Sequence, residues 1–480
     1  MTVNYFIKCP TCNTITRMRT PAGYIYKTPV RIHCGKCNTL LTGEFVSDNE
    51  KEKAYYTPNN CEEVKPQAFD YFGEASGEMI CNKIEPIHAE GDDIFLPPMD
   101  KVSPIFDFMQ STTDVDRTRF INYACYLQKL STTWDKERIK YDLYLSEKND
   151  LLLSKYSEAA KNIDCEMDTD LDAYQYVYRS LFYDLGGVFQ KNKLLKLFRE
   201  VNHHMSHMNL HALYDYLSEL NRTDSLKKIE TKLFSIAYDF HSVSNYLIPA
   251  IGLLYYNADT IDKTIFGIST CSFDDLKEFY QNTYERLLDC CEIIVGLDNI
   301  ENRGDYSTFT SKLTMHNFRT QRKGNRINYL HSSEFFVKAF DLPINSGSLR
   351  NAIGHSDYKY DGIKQIISYP QKDGSDIMLN SYLIDVALEC SKMLRSTLLL
   401  IFVTYELIRY NHRSDNSTMP MHSIIYKNVR SQSLCPCGSR RKYIHCCKSI
   451  IHVDKKSNTN FDYPMEADFC MSDNFKRMKP

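Results

Sequence analysis

Apolar residues recur every three to four positions along most of residues 116–295, with polar residues between them. This spacing is typical of amphipathic α-helices that bury one face. Helices are therefore expected near residues 116–130, 136–160, 172–185, 191–207, 210–220, 225–256 and 273–295. The last of these opens with Ser272, Asp274 and Asp275, an acidic first turn that suits the positive end of a helix dipole.

A further long helix is expected at 381–410. Its residues at the spacing of a buried helix face are Leu383, Val386, Ala387, Cys390, Leu394 and Thr397. Before it, residues 362–369 and 376–379 flank a turn at 372–374 and predict a β-hairpin. Strand-like residues also occur at 15–18, 29–33 and 40–46, and the first two of these segments are expected to pair as a hairpin. The predicted fold is mainly α, with a small β module at the N-terminus.

Length and composition indicate several globular units. A chain of 480 residues is too long for one ordinary core, so two to four units are expected. The net charge of −3 gives no general attraction to nucleic acid, and any such contact needs a local basic patch. The N-terminal sequence is not typical of a signal peptide, and the apolar run 398–403 is too short to span a bilayer. We therefore expect a cytoplasmic protein without membrane contact.

Eight of the 17 cysteines fall into two clusters, one near each end of the chain. The first cluster consists of two Cys-x-x-Cys pairs separated by roughly twenty residues, namely Cys9, Cys12, Cys34 and Cys37. Four thiolates at such spacing are typical of a closed, structural zinc site, and residues 1–50 are predicted to form a zinc ribbon. His33 is interpreted as a surface neighbour because four cysteines already fill the site. The basic and aromatic residues of this ribbon suit a nucleic-acid surface or an ordinary solvated face equally well.

The second cluster has the pattern Cys-x-Cys, eight residues, then Cys-Cys, and its members are Cys435, Cys437, Cys446 and Cys447. Such a short loop cannot fold unaided, so zinc is expected to hold it. The string resembles the SEC-C motif, although Arg440 stands where that family usually has glycine, and His445 is an alternative ligand. The basic loop 440–442 suits an acidic protein partner or RNA phosphate. The expected cofactors are two structural zinc ions.

Residues 349–358 combine a cation, a carboxamide and an imidazole, supplied by Arg350, Asn351 and His355. A step of five residues on an ideal helix leaves Arg350 and His355 about 140° apart. They reach one small target only if the turn deforms, for which Gly354 is well placed, or if a second copy supplies the partner side chain. The simpler interpretation is a polar helix end that these side chains cap.

The pattern Arg-Asn-x-x-x-His after an apolar residue resembles the RxxxxH signature of the HEPN family of ribonucleases, over residues 225–411 at most. The resemblance implies a helical bundle that cleaves RNA without a metal, by attack of the ribose 2′-hydroxyl on the neighbouring phosphate. His355 would accept the proton, Arg350 would bind the phosphoryl oxygens and Asn351 would position the phosphate. Because Arg350 and His355 diverge on a straight helix, we expect a homodimer in which two such motifs face each other. The resemblance implies products with a 2′,3′-cyclic phosphate and a 5′-hydroxyl.

A row of histidines is a weaker candidate. His203, His207 and His211 recur every four residues, with His204 beside the first, so one helical face would present three imidazoles to a metal or a proton relay. No carboxylate or thiolate lies at ligand spacing, which favours an ordinary polar stripe.

These observations divide the chain into a zinc ribbon (1–50), a linker (51–105), a helical domain (106–224), a HEPN-like bundle (225–411), a SEC-C zinc motif (430–450) and a disordered tail (455–480). The predicted function is that of an endoribonuclease acting on RNA as a toxin or antiphage defence effector, a role that rests on family analogy alone. The alternative is a non-enzymatic zinc-binding adaptor that dimerises through the bundle and recruits protein or nucleic-acid partners. RNA cleavage, and its dependence on His355, discriminates between them.

Overall fold

The computed structural model describes residues 2–95, 112–161, 170–186, 191–255, 261–310, 312–330, 334–342, 347–415, 430–433 and 442–445. Within these ranges the protein is mainly α-helical, with several small β-sheets. The α-helices are α1 Asp114–Glu137, α2 Ile139–Leu145, α3 Asn149–Lys161, α4 Asp170–Gly186, α5 Lys191–His207, α6 Leu210–Arg222, α7 Ser225–Gly252, α8 Phe273–Cys290, α9 Glu292–Arg303, α10 Met315–Thr320, α11 Lys323–Arg326, α12 Phe335–Phe340, α13 Gly347–His355 and α14 Leu383–Asp415.

The strands are β1 Thr2–Lys8, β2 Ile15–Pro21, β3 Lys27–His33, β4 Leu40–Asp48, β5 Lys53–Pro58, β6 Glu62–Val64, β7 Phe69–Glu74, β8 Cys81–Asn82, β9 Glu85–Ala89, β10 Phe266–Gly267, β11 Lys359–Asp361, β12 Ile366–Pro370 and β13 Met378–Tyr382. Single 3₁₀ turns occur at Gly91–Phe95, Ile327–Leu330 and Tyr443–His445.

The chain divides into two compact units, and each is discontinuous in sequence. The first contains Met1–Glu137, Tyr238–Tyr284 and Pro343–Met393, and the second contains Arg138–Ala237, Glu285–Leu342 and Leu394–Pro480. The predicted segments 106–224 and 225–411 each contribute to both units. Helical periodicity shows which face of a helix is buried but not which part of the chain covers that face, so contiguous segments were the natural expectation.

Every sheet among the described residues belongs to the first unit. A five-stranded sheet has the order β6-β1-β2-β7-β9, and a three-stranded antiparallel sheet has the order β3-β4-β5. Two smaller sheets, β10-β8 and β11-β12-β13, complete the set among the described residues. Tyr5 stacks on Tyr56 with ring centroids 4.6 Å apart, in a buried cluster that also contains Cys9 and Cys34. The apolar core of this region therefore reaches the first cysteine cluster.

The N-terminal strands form where expected but pair differently. The predicted hairpin between 15–18 and 29–33 is wrong, because β2 pairs with β1 and β7 whereas β3 pairs with β4. The sequence pattern predicts no strand at Thr2–Lys8, but this segment forms β1 and pairs with β2. Residues 53–89, expected to be part of a linker with short ordered pieces, contain five strands and bury Phe69 and Phe72.

The helical pattern agrees well with the structure. The expected helix 191–207 matches α5. The expected helix 381–410 corresponds to α14, which begins two residues later at Leu383 and buries all six predicted core residues. The expected helix 136–160 is interrupted where Glu147 adopts a left-handed backbone with φ of 58°. The expected helix 273–295 ends at Cys290, and α9 follows it. At the start of α8 the Asp275 carboxylate accepts the backbone N–H and the hydroxyl of Ser272 at 2.7 and 2.8 Å, which corresponds to one half of a capping box.

One arginine of the second unit is shared by two carboxylates. Arg303 donates to Asp298 at 3.1 Å and to both oxygens of Glu334 at 3.0 and 3.2 Å. Burial, together with the neighbouring Glu334, raises the pKa of Asp298 to about 7, although Arg303 partly opposes the shift. Folded protein thus keeps a proton on Asp298 that the unfolded chain loses near pH 4.

That carboxyl gives a pH prediction. A folded-state pKa above the unfolded value makes the free energy of unfolding fall as pH rises from about 4 to about 7. The variant Asp298→Asn mimics the protonated form and should lose less stability over that window than the wild type. Thermal unfolding at pH 5 and pH 8 checks this expectation. A stability difference between the two proteins that stays constant with pH contradicts it.

Candidate functional site

Four cysteines come together at the tips of two β-hairpins. Cys9 and Cys12 lie in the turn between β1 and β2. Cys34 and Cys37 lie in the turn between β3 and β4. All four sulfur atoms lie within 4.8 Å of one another, with Cys9 3.6 Å from Cys37 and Cys12 3.5 Å from Cys34. Tetrahedral binding by thiolates at about 2.3 Å needs sulfur atoms about 3.8 Å apart, so this cluster can hold a metal ion.

The two turns are copies of one local structure. The sequence Cys-x-x-Cys-Asn-Thr occurs in both, and Asn13 and Asn38 each have φ of 59°. Asparagine tolerates this left-handed conformation better than most residues. In each turn the first cysteine N–H donates to the threonine carbonyl, and the asparagine N–H donates to the first cysteine carbonyl. The repeated Asn-Thr is a sequence signal that the spacing of cysteines alone does not use.

Thr14 and Thr39 influence the charge of the second thiol in each turn. The Thr39 hydroxyl, 3.2 Å from the sulfur of Cys37, lowers the pKa of that thiol to about 6. Burial opposes ionisation of Cys12, but hydrogen bonds with Thr14 outweigh it and the pKa of Cys12 is also lowered. By contrast, burial raises the pKa of Cys34 to about 12. A bound cation is the interaction that would deprotonate such a buried thiol.

His33 connects the second cysteine turn to β11. Its Nδ1 donates to the carbonyl of Asn38 at 2.9 Å, and its ring meets Tyr360 edge-on with centroids 5.5 Å apart. A Cβ added at Gly362 would lie 2.2 Å from the imidazole, so only glycine fits there without a shift. His33 is partly buried by this packing and is more than the surface neighbour expected from sequence.

The motif residues lie on α13, which ends in a defined cap. The N–H of Ser356 donates to the carbonyl of Ile353 at 3.1 Å, and that of Asp357 donates to Ala352 at 2.8 Å. Ser356 has φ of 56°, which completes a Schellman motif and makes His355 the last helical residue. The α13 helix is continuous through Gly354, whose φ is not positive. The turn therefore does not deform to bring Arg350 and His355 together.

One face of α8 follows α13 in the antiparallel direction. The guanidinium carbon of Arg350 lies 5.9 Å from the ring centroid of Tyr284, a cation–π contact. One turn back along α8, Gln281 lies beside Gly354, with Nε2 3.0 Å from the position of an added Cβ. Another turn back, the Lys277 ammonium donates to the Tyr358 hydroxyl at 3.1 Å. Lys277, Gln281 and Tyr284, spaced four and three residues apart, thus form a row on α8 that contacts α13 and the residues directly after it.

The three motif side chains differ in exposure. Arg350 is partly buried against α8, whereas Asn351 and His355 are exposed. The imidazole of His355 makes no hydrogen bond within the part of the chain that the structure describes. Asp361, which follows the motif in sequence, accepts the N–H groups of Ile363 and Lys364 at 3.1 and 3.0 Å. The arrangement offers a fixed cation and an imidazole that is accessible to a large polyanion.

Comparisons with known proteins give no match. No family model matches the chain, and neither a curated protein nor a solved structure does. Its chemistry has to be inferred from its own side chains. Among the helices that the structure describes, none is long and apolar enough to cross a membrane.

The histidine row does not form one helical face. Helix α5 ends at His207, and His211 belongs to α6, which begins after an Asn209 cap. His204 turns away to pair with Glu301 and stacks on Phe335 with centroids 3.7 Å apart. Within the described ranges, the cysteine cluster is the one group of potential metal ligands. The alternative of three aligned imidazoles, which the sequence favours less than an ordinary polar stripe, is excluded because the helix ends between the second and third histidines.

The C-terminal cysteines lie outside the described residues. Cys435, Cys437, Cys446 and Cys447 are not among them, and neither is the predicted tail 455–480. Nearby, Tyr443 is buried and its N–H donates to the carbonyl of Ser433 at 2.8 Å.

Proposed function

We propose that this protein is a metal-independent endoribonuclease of the HEPN type. The observation that supports it best is the placement of the motif on α13, with His355 exposed at the helix end and Arg350 held against Tyr284. An imidazole titrates near neutral pH and can take the proton of a ribose 2′-hydroxyl. A guanidinium keeps its charge and offers several donors to phosphoryl oxygens.

In the proposed reaction, the 2′-oxygen forms a bond to phosphorus while the bond to the 5′-oxygen breaks. His355 accepts the proton of the 2′-hydroxyl, and the departing 5′-oxygen takes a proton from a solvent water molecule. Arg350 stabilises charge on the two non-bridging oxygens as they become crowded. The exposed amide of Asn351 orients the phosphate. The products are a 2′,3′-cyclic phosphate and a 5′-hydroxyl.

We further propose that the active site needs two copies of the chain. Because α13 is regular through Gly354, Arg350 and His355 of one copy diverge around the helix. A homodimer with facing motifs would supply Arg350 from one copy and His355 from the other.

Subunit mixing tests that arrangement. Arg350→Ala and His355→Ala proteins should each be inactive alone. A refolded equal mixture forms heterodimers in half of the dimers, and each heterodimer restores one of two sites, so about a quarter of wild-type cleavage should return. Cleavage of a labelled RNA measures it. An inactive mixture, with heterodimers verified by differently tagged subunits, argues for a site within one chain.

Arg350→Lys separates charge from geometry. Lysine keeps the positive charge but has neither the planar fork nor the same stacking on Tyr284. We expect cleavage to fall by about tenfold or more, with unchanged helix content by circular dichroism. Cleavage equal to the wild type would show that Arg350 only caps or packs α13. Lys359→Arg, an exposed change two residues beyond Asp357, is the control and should have no effect.

We also propose that Cys9, Cys12, Cys34 and Cys37 bind a structural zinc ion, and that the C-terminal cysteines bind a second. The support for the first is the sulfur cluster described above. The packing of His33 against Tyr360 places that cluster next to the strand that follows the motif helix. Zinc would then stabilise the part of the fold that holds α13 without taking part in RNA cleavage.

The alternative function is a zinc-binding adaptor that uses the same helices to dimerise. It predicts that no RNA is cleaved by the intact protein under any condition. Under this alternative, a His355→Ala variant would bind its partners as the wild type does and would show no defect.

A further inference from the structure

The strand β13 is the outer strand of the sheet β11-β12-β13, and its free side is open. The backbone N–H of Gln371 donates to the carbonyl of Ile377 at 2.8 Å, so Ile377 and every second residue after it direct their backbone groups toward β12. The residues between them direct theirs the other way. The backbone N–H and C=O of Met378 and Asn380, and the N–H of Tyr382, therefore point outward, and none has a hydrogen-bond partner among the described residues.

The side chains along this edge are apolar or uncharged. Ile377 and Met378 are 61% and 50% exposed, and Asn380 is exposed as well. The strand has the sequence Met-Leu-Asn-Ser-Tyr, which contains neither a charged residue nor a proline. An exposed edge of this composition is a template on which another strand can pair.

The other edge strands that the structure describes are protected against such pairing. The edge of β3 is covered, because the N–H of Arg31 donates to the carbonyl of Ser269 at 2.7 Å. Strands β8 and β10 have only two residues each. The remaining edges contain charged residues or proline, namely Lys53 and Pro58 in β5, Glu62 and Glu63 in β6, Pro86 in β9, and Lys359 and Asp361 in β11. The open edge of β13 is thus an exception in this protein, and a partner strand accounts for it.

We propose that β13 pairs in the antiparallel direction with β13 of a second copy of the chain, about a two-fold axis at Asn380. The proposal deepens the two-copy active site proposed above and rests on it. Asn380 exchanges two backbone hydrogen bonds with its own counterpart, and the N–H of Tyr382 donates to the carbonyl of Met378 of the partner subunit. The strand is complementary to itself, since a methionine side chain lies beside an aromatic ring on each side of the axis.

This pairing brings the two motif helices together. It joins two three-stranded sheets into one sheet of six strands, and its axis is perpendicular to that sheet, so both copies of α13 lie on the same side. Helix α13 contacts β12, and the two β12 strands would be three strand spacings, or about 14 Å, apart. Packed helices lie about 8 to 10 Å apart, so this separation leaves a groove in which a phosphate can reach Arg350 of one copy and His355 of the other.

Charges placed at the axis test the pairing. Asn380→Lys would bring two ammonium groups together, and Asn380→Glu would bring two carboxylates together. Each variant of the full-length protein should therefore dimerise about tenfold or more weakly than the wild type in analytical ultracentrifugation. An equal mixture of the two variants places opposite charges at the axis and should recover the dimer, which also shows that both variants fold. Thr57→Lys, at an exposed residue of β5, should dimerise as the wild type does.

Cleavage of a labelled RNA in the same samples separates this proposal from the ribonuclease proposal. Cleavage should fall in each variant and return in the mixture. Loss and recovery of the dimer without cleavage by the wild type would support the strand pairing and contradict the ribonuclease. An Asn380→Lys protein that dimerises as tightly as the wild type overturns the pairing. A wild-type protein that is monomeric at every concentration overturns it too, and leaves the edge of β13 to a strand of a different protein.

Discussion

Replacement of His355 by alanine should abolish RNA cleavage while leaving the fold intact. Loss of a general base typically slows a reaction about a hundred- to ten-thousand-fold, which is easily detected with a labelled RNA. The His355 imidazole is exposed and makes no hydrogen bond within the described ranges, so its removal should cost the fold little. The circular dichroism spectrum and the mass in solution should therefore equal those of the wild type. The same variant should relieve any toxicity that the wild type shows on expression.

A matched control distinguishes catalysis from a general effect of losing an imidazole. His88 is also an exposed histidine of the first unit, 64% exposed at its side chain and 3.3 Å from Asp70. His88→Ala should cleave RNA at the wild-type rate. If His355→Ala cleaves as fast as His88→Ala, His355 is not the general base and the proposed HEPN mechanism fails. If neither variant nor the wild type cleaves RNA, the adaptor becomes the better account. Product analysis adds a second criterion, since a cyclic phosphate end requires 2′-hydroxyl attack.

The features that the sequence predicted well depend on residues close together in the chain. The two Cys-x-x-Cys pairs, the helix 191–207 and the buried face of α14 follow from local spacing. Spacing also indicated that Arg350 and His355 diverge, and the regular α13 agrees with that. For such features, helical geometry and ligand spacing leave few alternatives.

Features that depend on distant parts of the chain were not predictable in this way. The partner of β2 could not be inferred, because β1 and β7 lie on opposite sides of it in sequence and periodicity does not specify register. From sequence, Tyr284, Gln281 and Lys277 belong to an amphipathic helix, but their contacts with α13 and the residues after it cannot be inferred. Likewise, the sequence places Glu230 only within a helical segment. The two tyrosines that donate hydrogen bonds to it come from two other helices.

Removal of one cysteine ligand should release a metal ion and destabilise the first unit. We expect the purified protein to contain two zinc ions per chain, and Cys12→Ser to contain one, by elemental analysis. Structural zinc sites contribute several kcal/mol to folding, so the unfolding temperature of the variant should fall by about 10 °C or more. Cys61→Ser is a suitable control, because Cys61 packs on the same apolar cluster without belonging to the four-sulfur group.

The consequence for RNA cleavage distinguishes a structural ion from a catalytic one. The cluster contacts the chain after α13 through His33 and Tyr360, so zinc loss should reduce cleavage only as far as it unfolds the first unit. Substitution of cobalt for zinc should preserve cleavage and should give near-ultraviolet thiolate-to-cobalt charge-transfer absorption together with visible d–d bands of a tetrahedral site. A Tyr360→Ala variant should retain both metal ions and still cleave less well than the wild type. If instead cobalt changes the rate without changing the unfolding temperature, the ion takes part in the reaction, and the metal-independent mechanism has to be abandoned.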